Sequence, residues 1–274
     1  MRVNKYIKGR GFTLIELMIS MMLGLIVVGG ALSIYISTIK SSSDVVKSAR
    51  LNYDLDSVMQ LMVNDIRRSG FTGIPVGGLD TVSNVFMATA TTLNIRTLAA
   101  VTTDPTPNSG DCILYSYDVD DGNNGTPEAP DGIVNTNEYF GFKLDRGAIW
   151  IRYSGTNTTS CADGNWERIT DENKVSITFL QFNFLPIAGQ ALVAGVHPAL
   201  PALTATSRCL NYTPEPQEIT NALICNPAPA ANAYVAQKRV ININLSGYVN
   251  GDNTVLKSLS TTVQVRNHRL YKAI

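Results

Sequence analysis

The chain has 274 residues, of which 45% are hydrophobic and 16% charged, with 22 basic and 22 acidic side chains. That length allows one large domain or two small ones, and the composition suits a sizeable buried core. Four of the positive charges, Arg2, Lys5, Lys8 and Arg10, fall in residues 1–11 without an acid among them, so the remainder is mildly acidic. An acidic body argues against direct binding of nucleic acid, because phosphates are held by a basic face.

Residues 12–36 follow that basic leader as an apolar run whose only charge is Glu16. Twenty-five residues suffice to cross a bilayer as a helix. The flanking Lys and Arg residues predict an N-terminus held in the cytoplasm and a body sent outward, across the inner membrane. A cleaved secretory signal is the competing reading, with Val28-Gly29-Gly30-Ala31 as small residues near a cut. Against it stand the acid inside the apolar run and the continuation through Ile34, Tyr35 and Ile36.

The helical pattern resumes after a polar stretch at 40–44. Leu51, Leu55, Val58, Met62 and Ile66 recur at steps of three and four, one face of an amphipathic helix spanning 37–70. No proline falls between residues 12 and 69, and Gly70 after Arg67 and Arg68 supplies a stop signal. One continuous helix is predicted, its first half in a membrane and its second against a folded body.

Gly11 followed by Phe12-Thr13-Leu14-Ile15-Glu16-Leu17-Met18, behind a short basic leader, closely resembles the processing site of type IV prepilins and type II secretion pseudopilins. The resemblance implies cleavage between Gly11 and Phe12 by a prepilin peptidase, N-methylation of Phe12, and removal of residues 1–11. It also gives Glu16 a role. A lone carboxylate in hydrocarbon costs several kcal/mol. Once Phe12 bears a free amine, that charge on a neighbouring subunit can pair with Glu16 during assembly.

"LDSVMQLMVNDIRRSGF" and the closing "LSTTVQVRNHRL" are similar to the PilW family of minor pilins and to related J-type pseudopilins. The implied role is a low-copy subunit that begins or caps a type IV pilus, serving twitching motility, adhesion or DNA uptake. Implied partners are other minor pilins, the major pilin, a large tip-associated protein, and the inner membrane before assembly. A minor pseudopilin of a type II secretion system and a pilus-tip adhesin are the alternatives, the latter of another class.

Past Gly70 the period changes to that of strands, at 91–98, 112–119 and 174–185. Residues 138–153 read as a hairpin turning at Asp145-Arg146-Gly147, and 239–267 as another turning through Asn250-Gly251-Asp252-Asn253. The expected fold class is α+β, a long N-terminal helix packed on an antiparallel sheet body over 71–274. Residues 186–237, rich in Pro and Ala, read as a loop insertion offering a contact surface.

Asp118, Asp120, Asn124 and Asp131 lie in a stretch dense in Asp, Asn and Gly that partly matches a calcium loop. Gly122 stands where a ligand belongs, and a solvated turn fits the same residues. Cys112, Cys161, Cys209 and Cys225 have no zinc or redox spacing, which in an exported body suggests two disulfides. Local loop closure favours Cys112 with Cys161 and Cys209 with Cys225. His197 and His268 are the two histidines, and no nucleophile or metalloprotease motif accompanies them, so no catalytic role is expected.

Overall fold

The computed structural model describes residues 11–73, 84–88, 90–98, 109–119, 130–184, 207–211, 217–220 and 230–272. The chain divides into two compact units, Met1–Lys47 and Ser48–Ile274. Helix α1, Leu14–Ile66, runs through both and stays helical past Gly24, Gly29 and Gly30. In the first unit its apolar side chains are exposed, from Leu14 through Ile39. Among the described residues it is the one helix long and apolar enough to cross a membrane.

In the second unit the periodic face is buried as its spacing predicts. Leu51, Leu55, Val58, Met62 and Ile66 are joined by Met59 and Val63 in one apolar core. The strands opposite supply the rest of that core. They are β1 (Asn94–Arg96), β2 (Ser109–Gly110), β3 (Cys112–Ser116), β4 (Tyr139–Asp145), β5 (Ala148–Ser154), β6 (Asn165–Arg168), β7 (Val175–Asn183), β8 (Arg208–Asn211), β9 (Gln217–Thr220), β10 (Tyr234–Lys238), β11 (Val240–Val249), β12 (Asp252–Gln264) and β13 (Arg269–Lys272).

These form three antiparallel sheets, in the orders β1-β3-β4-β5-β6, β12-β11-β7-β2 and β13-β10-β8-β9. The first two face the core with Ile95, Ile113, Tyr115, Phe142 and Ile149, and with Ile177, Phe182, Ile241, Ile243 and Leu245. The α+β class therefore stands. Both hairpins form as read. β4 and β5 close through Arg146 and Gly147, each at positive φ, the geometry that matches strand twist in a two-residue turn. β11 and β12 close at Asn250-Gly251.

The third sheet is the departure from expectation. Part of the stretch read as a loop insertion at 186–237 supplies β8, β9 and most of β10, with Ala233, Val235 and Ala236 buried. Strands of four or five residues are too short to display a period of two, so proline and alanine content dominated the reading.

Candidate functional site

The first turn of α1 shows how Glu16 is held. The Thr13 carbonyl accepts the Leu17 N–H at 3.2 Å, which makes Thr13 the N-cap. Its hydroxyl accepts the Glu16 N–H at 3.3 Å, while the Glu16 carboxylate accepts the Thr13 N–H at 3.1 Å. That reciprocal pair is a capping box, and the Thr13 hydroxyl also donates to the same carboxylate oxygen at 3.1 Å. The negative charge lies at the positive end of the helix dipole, a further stabilisation. Thr13-x-x-Glu16 is thus a helix start as well as part of the prepilin-like motif.

Gly11 and Phe12 lie outside the helix, in exposed extended chain, with Phe12 83% exposed. The bond between them is open to a protease, and cutting it leaves the capping box untouched.

At the other end, Gly70 turns the chain at φ +73 and packs against Met87 and Arg239, so any side chain there meets both backbone strain and a clash. Just past the end of α1, the carbonyls of Arg67, Arg68 and Ser69 take donors from 198 or 199 residues away, the Arg68 carbonyl in addition to the Phe71 N–H. The Arg266 N–H donates to the Arg67 carbonyl at 3.1 Å. The Asn267 side-chain amide donates to the Arg68 and Ser69 carbonyls at 3.2 and 3.1 Å. The segments 55–71 and 259–270 therefore meet in space.

Arg239 completes this joint. It is 2% exposed and donates to the Thr92 hydroxyl and to the Asn267 carbonyl, at 3.1 and 3.2 Å. Burial, with the charge of Arg269, lowers its pKa to about 9, so it remains a cation at neutral pH. Its favourable counter-field is the carbonyl end of α1. On the sheet side, the Tyr115 and Tyr117 hydroxyls each donate to Asp65 at 2.6 Å. Burial and the Asp65 charge raise both phenols well above their ordinary value, keeping them neutral donors. Arg68 lies over the Tyr117 ring at 4.3 Å. Strict alternation in Tyr115-Ser116-Tyr117 was the sequence signal: two phenols on a core face require a buried acceptor. Asn267→Ala removes two carbonyl partners and is expected to cost about 1–2 kcal/mol. The urea midpoint measures this, and an unchanged value would show that the Arg266 amide and water suffice.

Of the candidate calcium ligands, Asp120 and Asn124 lie outside the described residues. Asp118 is 1% exposed and its oxygens accept the N–H groups of Gly73, Asp131 and Gly132 at 2.8, 3.2 and 2.8 Å. Asp131 accepts the Ile133 N–H at 2.8 Å. In this structure Asp118 is a backbone anchor, with two of the three amides on Oδ2 and one on Oδ1. Among the described residues no group of three or more His, Cys, Asp or Glu side chains could hold a metal.

Cys112 and Cys161 form a disulfide. Cys209 is also disulfide-bonded, and Cys225 lies outside the described residues, as does His197. His268 is exposed, and desolvation with the charges of Lys238 and Arg239 lowers its pKa.

Comparison with known proteins follows the same lines. Residues 8–32 match the prokaryotic N-terminal methylation motif. That motif, the apolar helix and the antiparallel sheets together define a type IV pilin-like protein. More specifically, the chain belongs to the prepilin peptidase-dependent protein B family, whose model matches residues 44–265. Membership supports processing by a prepilin peptidase. A protein of Haemophilus influenzae named "Uncharacterized protein" is 27% identical over 169 residues, covering 52% of this chain and 69% of that protein. No solved structure matches the chain.

Proposed function

We propose that the chain is a PilW-like minor pilin, a low-copy subunit that primes or caps a type IV pilus after cleavage between Gly11 and Phe12 and N-methylation of Phe12. The observation that carries this reading is the state of Glu16. Among the described residues its carboxylate is held at the helix start by Thr13 alone, beside the residue that becomes a free amine on cleavage. A neighbouring subunit's Phe12 amine can displace a neutral hydroxyl partner with a full opposite charge, which in low dielectric favours assembly over solitary insertion. The exposed apolar face of α1 over its first unit is what such a helix bundle would bury.

Glu16→Ala tests the reading. Membrane insertion and folding of the body are expected to persist while incorporation into sheared filaments falls at least about tenfold, a difference of about 1.4 kcal/mol in assembly. Normal recovery of the variant from filaments would refute the role of Glu16.

A further inference from the structure

Six strands stand at sheet edges, and five of them are blunted. β1 has three residues and ends in Arg96; β2 has two. β6 has four, including Glu167 and Arg168. β9 has four with Glu218, and β13 four with Arg269 and Lys272. Short, charged edges are how proteins prevent unwanted strand pairing. β12 has none of these features. It runs for 13 residues, pairs with β11 along one side, and contains no proline. Between Asn253 and Gln264 its one charge is Lys257, and that ammonium is turned to Asp56 of α1 at 3.1 Å. No backbone bond to the outer side of this stretch is formed among the described residues.

The side chains of β12 are committed inward. Ser258, Ser260 and Thr262 bond to Ser246, Asn244 and Asn242 of β11, at 2.6, 2.6 and 3.1 Å. Val255 and Leu259 on the alternate face pack against the core. Along the outer side, a row of backbone N–H and C=O groups about 40 Å long has no protein partner among the described residues. Apart from water, only another extended backbone can pair with such a row throughout. We infer that β12 is the docking edge for an extended, largely uncharged segment of a different chain, added as a further strand. Its side chains would alternate small polar groups, continuing the Ser258-Ser260-Thr262 row, with apolar groups continuing Val255 and Leu259.

A second copy is disfavoured by geometry. Two β12 strands pairing antiparallel across a two-fold axis normal to the sheet would set the copies' 51–66 helical segments, which pack on that sheet, in opposite directions, whereas subunits of one pilin-like filament run in the same direction. The inference rests on the pilin-like reading for the partner's setting, and presence of the chain in sheared filaments tests that reading separately.

The experiment uses the full-length chain, in cells and in detergent. A photo-crosslinking p-benzoylphenylalanine is placed in turn at positions 254, 256, 258 and 260, and the adducts are mapped by mass spectrometry. Strand addition requires adducts in one segment of another chain, whose contact point advances by two residues for each step of two along β12. In detergent the outward amides of Asn253–Gln264 are expected to exchange at least about tenfold faster than the inward ones. Adducts without that register, adducts only to a second copy, no adducts, or slow exchange of every β12 amide in the monomer would each overturn the proposal.

Discussion

Removing the Cys112–Cys161 disulfide by the double substitution to alanine is expected to destabilise the folded body by about 4 kcal/mol. The bridge spans 49 residues, from β3 to the loop between β5 and β6, and closing a loop of that size removes entropy from the unfolded ensemble and raises its free energy by about this much. The corresponding fall in melting temperature is roughly 8–16 °C for a body of this size. Thermal unfolding of the variant, and of the native chain after full reduction, measures it. A loss below about 1 kcal/mol would mean that other contacts constrain the loop even when the chain unfolds.

In the native state the same loop is also held by a buried ion pair. Arg152 on β5 is fully buried and pairs with Asp163, while its Nε and Nη1 donate to the Ser154 and Asn157 carbonyls at 3.0 and 2.8 Å. The guanidinium lies between Gly155 and Gly164, where a Cβ on either would collide with it. Asp163→Ala leaves a buried cation without its partner, at an expected cost of about 3–5 kcal/mol. Burial pushes the Asp163 carboxyl up, but N–H and hydroxyl donors from Thr156, the Asn157 N–H and Arg152 outweigh it, and the net shift is downward. A carboxyl depressed by folding stabilises fully above its unfolded value and loses that contribution as pH falls through the folded one. The native chain is therefore expected to lose this stabilisation below about pH 4, and the Asp163→Ala variant to show a flatter profile there. Urea midpoints at pH 3 and 6 decide it. An equal pH slope in both proteins would remove Asp163 from the account.

Disulfide and ion pair hold the same loop, so their losses are expected to be coupled and not to add. The sequence signals for them were unequal. Cysteine spacing pointed to the bridge without reference to any structure. Arg152 read as an ordinary hairpin residue, because only the fold brings Asp163 across from the far side of the turn. The same contrast runs through the molecule. The face of α1 was legible at 51–66 because five apolar side chains kept a helical period over four turns. The β4–β5 and β11–β12 hairpins were legible because long alternating strands flank turns that demand glycine. Asp118 was not, since density in Asp, Asn and Gly marks a calcium loop and a backbone anchor alike. The anchoring use shows only in the fold, through the amide of Gly73, 45 residues away. Nor could spacing show that Arg239, between two strands, sits under the end of a helix. At the N-terminus the motif was read for its chemistry, and its second use as a helix start became visible only in the bonds of Thr13.

The closure of the helix end by Arg266 and Asn267 has a consequence in time. A chain made from its N-terminus completes α1 early, yet the carbonyls of Arg67 and Ser69 wait for residues that follow almost 200 positions later. At ordinary elongation rates that interval is about 10–40 s. The strands of the first core-facing sheet are complete at Arg168, so the apolar stripe of α1 can gain a partner about 100 residues before its end gains these donors. A truncation before Arg266 would keep both core-facing sheets and leave the Arg67 and Ser69 carbonyls to water, so covering the stripe and closing the helix end are separate events in the life of the nascent chain.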